Sequence, residues 1–116
     1  MRNAFNIFDE IKKKTKRRPY IRSAYFKKEK IFFDYFREHL FQKLPKERMR
    51  RLKYFAAACE LIRSSKVGPV EKTESFEKRE TLYRFTGLTA EKELFYVQIK
   101  EDKRKRKYFM SCFGPK

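Results

Sequence analysis

The sequence predicts an α+β fold in which N-terminal helices are followed by a three- to four-stranded antiparallel sheet. Three observations support this prediction. In the first part of the chain, apolar residues recur every three or four positions, which is typical of helices with one buried side. In the last part they alternate with polar residues, as in strands with one buried face. Short connections separate these later runs, so the strands should pair in antiparallel order.

The chain has 116 residues, which by size corresponds to a single domain, 1–116. We expect a basic N-terminal helix or arm at 1–18, a helical part at 19–65 and an antiparallel sheet at 79–113. The sequence contains 13 Phe, 7 Tyr and no Trp. Aromatic side chains bury large areas, so the core should be aromatic.

The first predicted helix covers residues 3–14, with Asn3 as its N-cap and Phe5, Phe8 and Ile11 at helical spacing. It ends in a basic run that stops at Pro19, because a proline disfavours helical geometry in the residue before it. This run is either a solvated linker or an arm that contacts RNA.

Two further helices are expected before the sheet. The second covers about residues 27–43 and has an apolar stripe with His39 at its edge. The third covers about 46–65 and follows Pro45, a residue favoured in the first turn of a helix. The side of the third helix away from its apolar stripe carries a row of cations: Arg48, Arg50, Arg51, Lys53 and Arg63.

The rest of the chain is predicted as a loop at 66–78 and strands at about 79–88, 93–101 and 107–113. Alternation divides the strand residues into two faces. The apolar face comprises Tyr83, Phe85, Phe95, Val97, Ile99, Tyr108, Met110 and Cys112. The opposite face comprises Arg84, Thr86, Gln98, Lys100 and Ser111. Polar residues on that face serve either a binding site or solubility alone.

The charge balance predicts a polyanionic partner. There are 32 Lys and Arg against 15 Asp and Glu, a net charge of +17, which favours RNA or another nucleic acid. Neither a signal peptide nor a long apolar run is visible, so we expect no membrane partner. Two isolated cysteines make no disulfide framework, and a cytoplasmic location is predicted.

Several chemistries lack the residues they need. Phosphate-cradling motifs of the GxxxxGK[ST] and GxGxxG types are missing, and the single His and two distant Cys do not form a metal site. No cofactor and no metal are therefore predicted. RNA cleavage that uses the 2′-hydroxyl of the substrate needs only a proton acceptor, a proton donor and fixed cations.

Candidate catalytic residues follow from that requirement. Arg84 and Lys100 would stabilise charge on the phosphate, and Ser111 would position the substrate. His39 suits proton transfer near neutral pH. A histidine at the edge of an apolar stripe, however, more often packs against its neighbours than takes part in catalysis. Further nucleic-acid contacts are expected from Arg50, Arg51, Lys53, Thr86, Tyr96, Gln98, Lys103, Arg104 and Arg106.

For two groups of these expected contacts, a structural role is an alternative to nucleic-acid binding. The helix row Arg50, Arg51 and Lys53 either tracks phosphates or is a solvated face with pairs such as Glu47–Arg51. The Lys103–Lys107 run either grips phosphate or protects a sheet edge from aggregation.

The order of helices followed by the strands ETLYRFTGLT, ELFYVQIKED and KRKYFMSCF resembles the small ribonuclease fold shared by barnase, EndoU, colicin RNases and RelE-type toxins. The segments RPYIRSAYFKKEKIFFDYF and RMRRLKYFAAACELI are similar to a phage-associated branch of that group. The resemblance implies catalytic positions at Arg84, Thr86, Lys100 and Ser111. It offers no counterpart for the paired Glu and His of barnase-like members, whereas RelE-type toxins use basic residues.

The function predicted first is a metal-independent endoribonuclease or toxin-like domain that cleaves single-stranded or ribosome-bound RNA by attack of the 2′-hydroxyl. A toxin of this charge would have an acidic antitoxin- or immunity-type partner. The alternative is a noncatalytic RNA- or DNA-binding module. A third possibility is a structural protein of phage or mobile-element origin whose basic surface meets an acidic protein.

Overall fold

The computed structural model describes residue 11 and residues 18–36 and 45–115. Within these ranges the chain forms six strands and one helical stretch. The strands are β1 (Tyr20–Ser23), β2 (Glu29–Phe32), β3 (Glu71–Ser75), β4 (Glu80–Leu88), β5 (Leu94–Glu101) and β6 (Lys107–Phe113). The helical stretch comprises α1 (Pro45–Lys53) and α2 (Phe55–Ser64).

The strands form one mixed sheet in the order β1-β2-β6-β5-β4-β3. The only parallel pair among these strands is β2 with β6, and the other neighbours are antiparallel. The predicted meander of three strands is confirmed as β4, β5 and β6. Short turns join these strands, as the sequence indicates.

The predicted third helix is also present, as a stretch interrupted at Tyr54. Its first residue is Pro45, whose missing N–H is not needed in the first turn. The second half, α2, buries a stripe at spacings of one and three residues: Phe55, Ala58, Cys59 and Ile62. This stripe packs on the sheet, and the Ile62 carbonyl accepts a hydrogen bond of 2.9 Å from the Ala24 N–H.

The predicted fold class is wrong. The described chain is mostly β, with a six-stranded mixed sheet in place of N-terminal helices followed by three or four antiparallel strands. Residues 29–32 of the predicted second helix form β2, and residues 71–75 of the predicted loop form β3. Both segments become strands because they pair with neighbouring strands. The local spacing of apolar residues does not indicate such pairing.

Two predicted elements fall partly or wholly outside the described residues. Residues 37–43 of the second helix lie there, as does the first helix apart from Ile11, which is buried in the core. The start of the second helix is instead a turn, in which Lys27 and Lys28 have positive φ angles of 55° and 67°. Left-handed residues of this kind end a helix, so β2 begins directly after them.

A β-bulge in β6 changes which residues face the core. Ser111 pairs with Gln98, whereas Phe109 pairs with Ile99, so Met110 is the extra residue of the bulge. The predicted placement of Tyr108 and Met110 on the apolar face is therefore wrong. Phe109 occupies the core in their place and is fully buried.

Aromatic rings dominate the core, as predicted. The rings of Phe36 and Phe55 stack at 5.0 Å, and Phe109 meets Phe36 edge-on at 4.9 Å. Cys59 and Cys112 are both buried and free. Burial raises the pKa of the Cys59 thiol to about 12, so this cysteine acts as a small apolar core residue.

Candidate nucleic-acid interface

The side of the sheet opposite α1 and α2 is named the outer face here. Strand alternation and register determine its members, because each pair of directly opposed residues points to the same side. The outer face comprises Tyr20, Arg22, Lys30, Phe32, Glu71, Thr73, Ser75, Glu80, Leu82, Arg84, Thr86, Leu88, Leu94, Tyr96, Gln98, Lys100, Tyr108, Ser111 and Phe113. The polar positions predicted from alternation are thus brought together on one surface.

Arg84 is the centre of one cation–aromatic group on this face. Its guanidinium carbon lies 5.8 Å from the ring centroid of Tyr96 and 5.7 Å from that of Phe113. The two rings are 5.5 Å apart and tilted by 32°. Arg84 Nη1 also lies 3.2 Å from Glu71 Oε2. The arginine is therefore held in position by two rings and a carboxylate.

The Arg84 guanidinium is not fully satisfied by the protein. Its Nε is buried and has no hydrogen-bond partner within the described ranges. A buried donor without an acceptor costs about 1–3 kcal/mol.

Lys100, like Arg84, lies beside a carboxylate and an aromatic ring. Its Nζ lies 3.2 Å from Glu80 Oε2 and 4.6 Å from the ring centroid of Tyr35. The side chain is only 20% exposed. Glu80 is thus the partner of Lys100. Any phosphate that binds Lys100 must compete with this carboxylate.

A second cation–aromatic group surrounds Arg18. The Arg18 guanidinium carbon lies 4.0 Å above the Phe32 ring, and Nη2 donates a 3.1 Å hydrogen bond to the Tyr108 hydroxyl. Arg18 Nη2 also lies 2.7 Å from Asp34 Oδ2. The Asp34 hydrogen bond, opposed by burial and assisted by Tyr108, raises the pKa of Arg18 above its ordinary value.

The outer face continues from Arg18 to the edge of the sheet. The Phe32 ring lies 6.0 Å from the Tyr20 ring, and Lys30 Nζ lies 4.8 Å from the Tyr20 ring centroid. The sequence left the run that ends at Arg18 open as a linker or an RNA-contacting arm, but it did not select Tyr20, Lys30 or Phe32, the last two of which were assigned to a helix. The alternation of Tyr20–Ser23 was the one available signal, and four residues are too few to establish a period.

Three uncharged polar residues lie between the cations. Gln98 is opposite both Arg84 and Ser111, and Thr86 is opposite Tyr96. All three are partly exposed. Hydroxyl and amide groups offer both donors and acceptors, so this strip is suited to phosphate, ribose or base edges.

The predicted helix row does not join the outer face. Leu52 and Tyr54 pack on the core side of the sheet, which places α1 on the other side. Lys53 Nζ lies 2.8 Å from Glu93 Oε2, and this contact raises the pKa of Lys53 and lowers that of Glu93. Arg50 is exposed in α1. His39 and the side chains of Arg48 and Arg51 lie outside the described part of the chain.

The turn between β5 and β6 presents the predicted basic tip. Lys103 and Arg104 are exposed and Arg106 is half-buried. Asp102 Oδ1 accepts 2.9 Å hydrogen bonds from the N–H groups of Arg104 and Arg106. Burial opposes ionisation of Asp102, but these hydrogen bonds outweigh it and lower its pKa.

The last residue of the basic run does not belong to this tip. The Lys107 side chain is only 6% exposed, and its Nζ lies 2.6 Å from Glu29 Oε2. The interpretation of the whole Lys103–Lys107 run as a phosphate-gripping loop is therefore wrong at its end. Lys107 starts β6, and its side chain points to the core side.

Two matters remain: the surface carboxylate of Glu60, and whether any residues could hold a metal ion. Glu60 is exposed on α2 and accepts a 2.8 Å hydrogen bond from Ser64. Among residues 11, 18–36 and 45–115, His, Cys, Asp and Glu form no cluster of three that could hold a metal ion. No helix in the same ranges is both long and apolar enough to span a membrane.

Comparison with known protein families, with curated proteins and with solved structures finds no match to this chain. The resemblance to small ribonucleases therefore stays a prediction.

Proposed function

We propose that this protein binds single-stranded RNA across the outer face. The observation that carries the proposal is the arrangement of Arg84 against Tyr96 and Phe113, beside Gln98 and Ser111. Single-stranded nucleic acids are bound by cations that follow the backbone and by rings on which bases stack. The outer face offers both within one strip of strand positions.

The net charge of +17 supports the same proposal. Such a charge attracts phosphate backbones at long range and speeds their association. The polar strip of Thr86, Gln98 and Ser111 favours RNA over DNA, because hydroxyl and amide groups can bond the 2′-hydroxyl. A cytoplasmic location, predicted from the sequence, is compatible with an RNA partner.

The ion pairs on the outer face do not prevent phosphate binding. Glu71 is 55% exposed and Glu80 is 29% exposed in their pairs with Arg84 and Lys100. The Arg84–Glu71 pair is exposed, and exposed ion pairs contribute about 0–1 kcal/mol, whereas stacking of one base on an aromatic ring contributes about 1–3 kcal/mol. RNA can therefore displace the carboxylates, which hold the cations ready in its absence.

RNA cleavage is a second candidate, favoured by the cation–carboxylate pair Arg84–Glu71. Glu71 would accept the proton of a 2′-hydroxyl as its oxygen attacks phosphorus, and Arg84 would stabilise the charge on the phosphate. Lys100 would return a proton to the departing 5′-oxygen, which leaves a 2′,3′-cyclic phosphate. In this case the predicted acidic antitoxin- or immunity-type protein would cover the outer face.

The test compares ligands of equal charge. A labelled single-stranded RNA of 20 nucleotides is titrated with the purified protein, and unlabelled double-stranded RNA and heparin compete at equal negative charge. We expect the single strand to be preferred at least about tenfold, because only it offers free bases for stacking. Equal competition by heparin would show that charge alone attracts RNA and would overturn the proposal.

A parallel incubation in EDTA tests cleavage. Products with 2′,3′-cyclic phosphate ends that disappear with Arg84→Ala would support the second candidate. Intact free RNA would leave RNA binding as the proposed function, and an incubation with ribosomes extends the same test to ribosome-bound RNA.

A further inference from the structure

A basic cleft lies between the β1–β2 turn and the C-terminal end of α2. Its volume is about 1060 Å³. Five cations line it: Arg22, Lys27, Lys28, Arg63 and Lys66. The described residues that line the cleft include no carboxylate. This cleft is separate from the positions that sequence reasoning selected, because Lys27 and Lys28 were assigned to a helix and Lys66 to a loop.

The cleft cations differ from Arg84 and Lys100 in lacking acidic partners. Arg84 and Lys100 each contact a glutamate. Within the described part of the chain, none of the five cleft cations forms an ion pair. Like charges that share a cleft repel one another, and an anion bound between them would remove that repulsion.

The backbone presents two of these lysines at a conformational cost. Lys27 and Lys28 are left-handed, with φ angles of 55° and 67°. Glycine and asparagine suit this region best, yet none of the chain's glycines has a positive φ. Arg79, Lys92 and Lys105 are also left-handed, each in a single-residue position of another turn, so the feature peculiar to the cleft is two such lysines in succession.

Several contacts hold the turn in one conformation. Its Lys28 N–H donates a 2.7 Å hydrogen bond to the Ser23 carbonyl, and the Phe26 N–H donates one of 3.0 Å to Ser23 Oγ. The rings of Tyr25 and Phe26 lie 5.6 Å and 5.9 Å from that of Phe85. A turn anchored in this way presents its cations with little loss of conformational freedom on binding.

The end of α2 accounts for only part of this charge. Helix C-termini carry a partial negative charge, and Arg63 in the last turn offsets it. Lys66 follows the helix, and Arg22, Lys27 and Lys28 belong to another element. The helix end therefore accounts for Arg63 alone among the five cations that line the cleft.

Arg22 connects the cleft to the outer face. Its guanidinium carbon lies 5.5 Å from the ring centroid of Tyr20, and its Nη1 donates a 3.0 Å hydrogen bond to the Lys28 carbonyl. We propose that the cleft is a binding site for clustered phosphates. They come either from an RNA backbone that leaves the outer face at β1, which rests on the proposed function, or from a free oligophosphate, which does not.

The test uses inorganic tripolyphosphate and calorimetric titration of the full chain. The cleft variant is Lys27→Gln/Lys28→Gln/Lys66→Gln. A matched control, Lys46→Gln/Lys78→Gln/Lys92→Gln, removes the same charge from exposed lysines that do not line the cleft. Thermal melting of both variants checks that they are folded.

We expect wild type and control to bind tripolyphosphate similarly, and the cleft variant to bind at least about tenfold more weakly, since charge-assisted contacts to phosphate are lost. An equal loss in both variants would show that only total charge matters and would overturn the proposal. Absence of tripolyphosphate binding by the wild type would also overturn it.

The source of the phosphates is determined with single-stranded RNA and the same two variants. If RNA backbone occupies the cleft, only the cleft variant loses affinity, and its slope of log K against log salt falls by about 2, or about 0.7 for each of three phosphates. If both variants bind RNA equally, the occupant is a free oligophosphate. The tripolyphosphate titration contains no RNA, so its outcome does not depend on the proposed function.

Discussion

Lys107 Nζ lies 2.6 Å from Glu29 Oε2, and this ion pair joins the first residue of β6 to the first residue of β2. These two strands form the parallel pair of the described sheet, with only two residues in register on each strand. Glu101 Oε1 lies 3.5 Å from the same Nζ and accepts a 3.4 Å hydrogen bond from the Tyr83 hydroxyl. The lysine thus links β2, β6, β5 and β4.

Lys107→Met should destabilise the fold, because it leaves Glu101, with a side chain 11% exposed, without its cationic partner. Removing one member of a buried ion pair costs about 3–5 kcal/mol, and we expect about 2–3 kcal/mol here because the other partner, Glu29, is half exposed. Urea unfolding measures the change. The control Lys103→Met alters an exposed residue of the turn between β5 and β6, and it should change stability by less than about 0.5 kcal/mol.

Tyr96→Ala should weaken binding of single-stranded RNA about tenfold, because stacking of one base contributes about 1–3 kcal/mol. Fluorescence anisotropy at two salt concentrations measures the affinity. The salt dependence should stay unchanged, since no phosphate contact is lost. Phe76→Ala is the control, because Phe76 is 88% exposed and lies in the turn between β3 and β4. Equal weakening by both variants would contradict base stacking at Tyr96.

Glu71→Gln separates binding from cleavage. In the proposed complex Glu71 would compete with RNA phosphate for Arg84, so its neutralisation should strengthen RNA binding by up to about fivefold, the equivalent of an exposed ion pair of about 0–1 kcal/mol. Any cleavage that uses Glu71 as the base should fall by about 100-fold or more. The control Glu74→Gln alters a glutamate of the same strand that pairs with Lys72. Cleavage that survives Glu71→Gln would exclude Glu71 as the base.

Asp102→Ala should destabilise the protein by about 1 kcal/mol at pH 7, because two turn N–H groups lose their acceptor. The pKa of Asp102 is lowered in the folded state, so ionisation favours folding. This contribution is complete well above the unfolded-state pKa of about 3.9 and is lost as pH falls through the lower folded-state pKa.

Urea unfolding at pH 7 and at pH 3 measures this dependence. The difference between wild type and Asp102→Ala should shrink at pH 3. Asp102→Asn keeps an acceptor oxygen and should lose less stability at pH 7 than the alanine variant. A gap between wild type and Asp102→Ala that widens toward acid would contradict the lowered pKa.

Local patterns in the sequence determined the elements whose partners are close along the chain. The meander β4–β6 was predicted because short turns let consecutive strands pair. The helical stretch from Pro45 was predicted because its buried stripe repeats within the helix itself. The grouping of Arg84, Gln98 and Ser111 on one face follows from the same alternation.

Tertiary structure alone decided the remaining elements. Strands β1 and β2 are four residues each, and the pairing of β2 with β6 joins segments about 75 residues apart in sequence, which no local period reports. The bulge at Met110 shifts the alternation of β6 by one residue, so Tyr108 lies beside Lys100 on the outer face, where it is nonetheless buried.

The partners of the charges also depend on tertiary structure. Arg84 and Lys100 were selected from the sequence to stabilise phosphate charge, and each contacts a glutamate, whereas the cations of the basic cleft do not. The sequence by itself determined how much positive charge the protein carries and the alternation that places residues on one face of a strand. Which cations lie beside carboxylates depends on contacts between distant segments, so only the folded chain decided which of them are left for a phosphate ligand.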